Sequence, residues 1–75
     1  MGKLRVLSAR EVCSILEQHD FVQVRQSRSH IIMQQQTENT TVTVVVPNYA
    51  EIRSGTLMSI IRQSGLPRSL FETIS

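Results

Sequence analysis

Seventy-five residues with 40% hydrophobic side chains and a net charge of +2 describe one small domain, and a chain of this size buries only roughly 60% of its unfolded surface. The single cysteine, Cys13, excludes an internal disulfide, no Cys/His cluster has metal-ligand spacing, and no apolar run approaches the roughly 20 residues of a membrane span. Seven of the eight cations are arginine, which pairs with phosphate through a planar fork, so nucleic acid is a compatible partner that charge alone does not establish.

With no signal-peptide apolar region near Met1, the expected compartment is the cytoplasm, where the Asn39-Thr40-Thr41 glycosylation pattern has no role. Only three aromatics, Phe21, Tyr49 and Phe71, are present, so branched aliphatics must fill the core.

In chain order, Met1 to Leu7 is a short basic lead-in. Ser8-Ala9-Arg10-Glu11 has the form of a capping box, and Val12, Ile15 and Leu16 follow at helical spacing, predicting a helix from about Ala9 to His19. Cys13 falls inside it as a small buried hydrophobe. Asp20 stands where a left-handed cap favours Gly or Asn.

Phe21 to Gln26 alternates with period two and is strand-like; Ser27-Arg28-Ser29 is a turn without glycine; His30 to Gln36 is a second strand. Thr37 to Thr40 turns again, and Thr41 to Val46 is a β-branched third strand that Pro47 ends. The first two strands should form an antiparallel hairpin across their three-residue connection.

Pro47 to Ser54 connects to a second helix that begins near Gly55-Thr56, carries Leu57, Ile60 and Ile61, and stops at Gly65. Leu66 to Ile74 predicts a short last helix packing Leu70, Phe71 and Ile74 inward. The order α-β-β-β-α with a short C-terminal helix makes an α+β two-layer sandwich.

Alternation assigns Val22, Val24, Ile31, Met33, Val42, Val44 and Val46 to the buried sheet face. The opposite face then carries Gln23, Arg25, His30, Ile32, Gln34, Thr41 and Thr43. His30 thus points away from the core beside Arg25 and Arg28, and a histidine exchanges protons near neutrality. RNA cleavage needs a base for the 2′-hydroxyl proton, an acid for the leaving 5′-oxygen and cations on the phosphorane. His30 suits part of that work, although a solvated residue at a strand end has the same pattern.

The remaining candidates read as structure. His19 sits by the carbonyls ending the first helix, where a cation is favoured. Ser29 and His30, adjacent on a strand, point oppositely, which argues against a nucleophile pair. Gly55-Thr56 reads as a helix start more readily than as a phosphate cradle, and Lys3, Arg53 and Arg62 either extend a phosphate-tracking surface or are solvated charges.

Four segments taken together resemble the HicA family of mRNA interferase toxins from bacterial type II toxin-antitoxin pairs. They are Ser8 to Phe21, closing on Leu16-Glu17-Gln18-His19-Asp20-Phe21; Arg25 to Met33; Val44-Val45-Val46-Pro47-Asn48; and Gly55 to Gly65. The resemblance implies a fold like that of double-stranded-RNA-binding domains over residues 1–75. It also implies endoribonuclease activity on mRNA without a metal or other cofactor, and a HicB-type antitoxin that covers the active site.

By that resemblance His30 is the catalytic histidine, and Arg25, Arg28, Ser29, Tyr49 and Arg53 are expected to contact RNA. Three positions depart from the family pattern: Asp20 and Arg28 stand where glycine is usual, and Tyr49 replaces the histidine that usually follows Pro-Asn. These departures keep open a second reading, a binding module for RNA or a protein partner that has weakened or lost the chemistry.

Overall fold

A computed structural model describes residues 2–73. Its elements are α1 (Ala9–Glu17), β1 (Val22–Gln26), β2 (His30–Gln36), β3 (Thr41–Pro47), α2 (Ser54–Ser64) and a 3-10 turn (Arg68–Phe71). The strands form one antiparallel sheet in the order β1-β2-β3. α1 packs across all three strands and α2 lies on β3, giving the two layers expected of the sequence.

The capping box forms in both directions. The Glu11 N–H donates to Ser8 Oγ at 3.1 Å, and the Ser8 N–H donates to Glu11 Oε1 at 3.0 Å. Those bonds, from the Ser8 backbone first and its side chain second, hold the Glu11 carboxyl below the ordinary glutamate range. Its contribution to stability is therefore present above that range and is lost as pH falls through the lowered folded value.

Glu11→Gln keeps an acceptor for the Ser8 N–H but has no proton to take up. It is expected to flatten the acid side of a Tm-against-pH curve, and an acid limb identical to that of the wild type would refute this role for the box.

α1 ends at Glu17, two residues before the expected His19, and the chain leaves through Asp20, which adopts φ +71°. Asp20 is the one non-glycine residue at positive φ among those described, which its short polar side chain tolerates. His19 in the turn places Nδ1 3.0 Å from the Ile15 carbonyl, and its own carbonyl accepts from Gln35 Nε2 at 2.9 Å, tying the corner to β2. Gly65 closes α2 at φ +71°, the left-handed cap expected there.

The core joins Val12 and Leu16 of α1, Phe21, Ile31, Met33, Val44 and Val46 of the sheet side, and Leu57, Ile60 and Phe71. The lead-in is no loose tail. Leu7 bridges Ile52, Leu4 bridges Glu72, and Leu7 and Ile52 are both buried. The last helix is shorter than expected, a single 3-10 turn that still buries Phe71; Ile74 lies outside the described residues.

The face assignment of β1 holds for Arg25 but fails for its first three residues. Val22 and Val24, expected in the core, are 60% and 50% exposed. Val22 lies opposite Gln34 and Gln23 opposite Met33, but Arg25 is then opposite Ile32 and Gln26 opposite Ile31. Val24 has no opposite residue and is the extra residue of a bulge.

Residues directly opposite share a face. Val22 and Arg25 therefore lie on the outer face, and Gln23 and Gln26 on the helix side. There Gln23 Nε2 donates to Gln26 Oε1 at 3.0 Å, beside a polar cleft lined by Arg10, Glu17 and Asn48. Helix cover over this edge strand is polar, so an inward valine would gain little. Ile31, Met33, Val44 and Val46 are buried as expected, and Val42 is half-buried.

Candidate active site on the outer sheet face

His30 opens β2 directly opposite Pro47 of β3 and is exposed on the face that no helix covers. Its placement follows from its neighbours, because Ile31 and Met33 turn into the core and thereby send His30 and Ile32 outward.

The turn before it is closed by its own backbone and by a serine. The Ser27 N–H donates to the His30 carbonyl at 2.8 Å, and the His30 N–H donates to Ser27 Oγ at 3.1 Å. A second set of bonds comes from the end of β3. The Asn48 N–H donates to the Ser29 carbonyl at 2.8 Å, and Asn48 Nδ2 donates to the Arg28 carbonyl at 3.3 Å. Four bonds thus fix the backbone leading into His30. Arg28 is not at positive φ, so the turn accepts an arginine where the family pattern has glycine without left-handed strain.

A shallow concavity of about 330 Å³ lies on this face, lined by Arg25, Ser27, His30, Ile32 and Val45. Arg25, Ile32 and Val45 form one rung across the three strands. The floor is held from the helix layer as well: the Val45 N–H donates to Gln63 Oε1 at 3.2 Å, and Gln63 Nε2 donates to Ser59 Oγ at 3.2 Å. This side chain also satisfies an outward N–H of an edge strand, which blunts the edge against pairing.

Of the residues expected at the site, His30 and Arg25 meet in the concavity. Arg28 and Ser29 lie in the turn beside it, offering their carbonyls to Asn48. Tyr49 is 58% exposed one residue beyond Asn48, and its carbonyl accepts the Ala9 N–H at 3.0 Å, which anchors the connector to α1. Arg53 is exposed at the N-terminus of α2 and does not line the concavity.

Ser27, Ile32, Val45 and Asn48 belong to the site and were not among the expected site residues, although alternation puts Ile32 on the outer face. Ser27 has a sequence signal, a hydroxyl three residues before the strand that can close the turn on itself. Val45 and Asn48 stand out in the sequence only as part of the Val44-to-Asn48 segment of the family resemblance, and only the β2–β3 register brings them to His30.

Cys13 lies on the other side of the sheet. Burial pushes its thiol pKa up, with Glu17 adding to the effect, so it stays protonated and is a packing residue. Among the described residues no three His, Cys, Asp or Glu side chains cluster to hold a metal.

Against this geometry stand the comparisons with known proteins. The model of a family described as the HicA toxin of bacterial toxin-antitoxin systems matches residues 9–66, well over half of the chain. The match runs from the first residue of α1 to just past the Gly65 cap and includes the whole concavity. No curated protein and no solved structure matches.

Proposed function

The chain belongs to the HicA toxin family, and from that premise we propose that it is an mRNA endoribonuclease that works without a metal. The carrying observation is an exposed histidine on a bonded turn, sharing a concavity with an arginine.

In the proposed reaction the substrate's 2′-oxygen loses its proton and attacks the adjacent phosphorus. The bond from phosphorus to the 5′-oxygen breaks, leaving a 2′,3′-cyclic phosphate and a 5′-hydroxyl. His30 moves one of the two protons, as base toward the 2′-hydroxyl or as acid toward the leaving oxygen. Arg25, with Arg28 from the turn, steadies the charge that gathers on the phosphorane. Ser29, Tyr49 and Arg53 extend the RNA contact surface, with Tyr49 offering an exposed ring to a base.

The partners are mRNA and a HicB-type antitoxin that covers the concavity, and the compartment is the cytoplasm. Among the described residues no helix is long and apolar enough to cross a membrane.

In this account Asn48 acts by placing the turn. Asn48→Ala removes the bond to the Arg28 carbonyl from an exposed side chain, at a stability cost of about 1 kcal/mol. It is expected to lower turnover by roughly ten- to a hundred-fold, because small displacements of a catalytic group cost that much, while RNA affinity holds. Unchanged turnover would remove Asn48 from the account.

The departures at Arg28 and Tyr49 favour the second reading, a module that binds RNA or a protein partner without cutting. Induced expression separates the two. Growth arrest with fragmented mRNA supports the toxin, whereas normal growth, with RNA bound in a salt-dependent manner and left intact, supports the module.

A further inference from the structure

We infer that the rung Arg25–Ile32–Val45 is a subsite for one unstacked nucleobase, so that the RNA must be single-stranded where it is cut; this rests on the RNA reading of His30. The concavity is not built for phosphate alone. Two of its five lining residues, Ile32 and Val45, are aliphatic and offer no donor, and a phosphate oxygen set against them would lose water for nothing. An uncharged planar ring gains there instead, by removing apolar surface from water. Val45 is 39% exposed and Ile32 half-buried, so both present apolar surface for such a contact.

The spacing fits a nucleotide laid along the sheet. His30 lies two residues before Ile32 on β2 and opposite Pro47, one outer-face rung away, which at the strand rise is about 7 Å. A phosphate held near His30 and Arg25 then sets its own base over Ile32 and Val45. Arg25, opposite Ile32, can lay the face of its planar guanidinium on that ring while its N–H edge stays with the phosphate.

The volume of about 330 Å³ is at the small end for ligand sites, which suits one base rather than a duplex groove. The floor is also pre-set, because Gln63 holds the Val45 backbone from the helix layer. A base lying face-down in this hollow has left its stack and its pair, which a duplex forbids.

The test compares affinity for a short 2′-O-methyl RNA, which cannot be cut through its 2′-oxygen, as a single strand and as the same strand in a duplex. Salt is held constant and EDTA is present. Wild type is expected to bind the single strand at least about ten-fold more tightly. The double variant Ile32→Thr, Val45→Thr keeps charge, β-branching and strand preference while making the floor polar, and is expected to lose about ten-fold on the single strand and nothing on the duplex.

Equal wild-type affinity for both forms, or an unaltered double variant that unfolds like wild type, overturns the subsite; the first arm needs no variant to fold. Unmodified RNA read in parallel separates this result from the chemistry. Equal cutting of single strand and duplex sinks the subsite and leaves the ribonuclease. Selective single-strand binding without cutting does the reverse.

Discussion

His30→Ala is expected to abolish RNA cleavage while shifting Tm by no more than a few degrees. The side chain is exposed, and the bonds recorded at His30, with Ser27, run through its backbone, which alanine keeps. Surface substitutions of this kind typically change stability by no more than about 0.5 kcal/mol. Loss of a positioned proton-transfer group costs about a hundred-fold or more in rate. A rate within a few-fold of wild type would remove His30 from the reaction. A variant that lost activity and melted far lower would make it a structural residue.

The largest stability effect is expected in the closing 3-10 turn. Phe71 is fully buried in the closing 3-10 turn, and its carbonyl accepts the Arg5 N–H at 2.8 Å. Thr73 continues that contact by donating its N–H to the Lys3 carbonyl at 2.8 Å, so the Lys3–Arg5 segment is bonded along the stretch from Phe71 to Thr73. Phe71→Ala removes one of the two phenylalanines on which the core rests and leaves a cavity, at a cost of about 3–5 kcal/mol.

A small domain has only about 5–15 kcal/mol in all, and each kcal/mol moves Tm by roughly 4–8 °C at this size. A fall of more than about 10 °C in a calorimetric scan is therefore expected. A fall of two or three degrees would mean that the tail covers the core without closing it.

How much of this was legible in the sequence depended on whether a feature is local. The capping box at Ser8 and Glu11, the bounds of β2 and the Gly65 cap are each set by residues a few positions apart, and each appears where expected. The outward direction of His30 was legible for the same reason, since Ile31 and Met33 fix the phase of their strand.

The outward placement of Val22 and Val24 was not. Alternation tells which residues share a face and not which face is buried, and the bulge at Val24 breaks the phase within five residues. A valine-bearing strand normally claims the core. Here the edge position and the Gln23–Gln26 pair on the helix side decide otherwise.

The concavity and the Asn48 bonds were equally out of reach, because both exist only once β3 is registered against β2 and α2 has laid Gln63 along its edge. The pairing of Leu4 with Glu72 joins residues at opposite ends of the chain, and no periodicity within either segment points to it.

The central claim is that this outer face cuts RNA through a histidine and a 2′-oxygen. Its most direct measurement is the digestion of an end-labelled mRNA by the purified protein in EDTA, with the chemical ends of the fragments identified. The account predicts fragments carrying 2′,3′-cyclic phosphates and 5′-hydroxyls. RNA left whole, cutting that EDTA stops, or fragments with 5′-phosphates would contradict it.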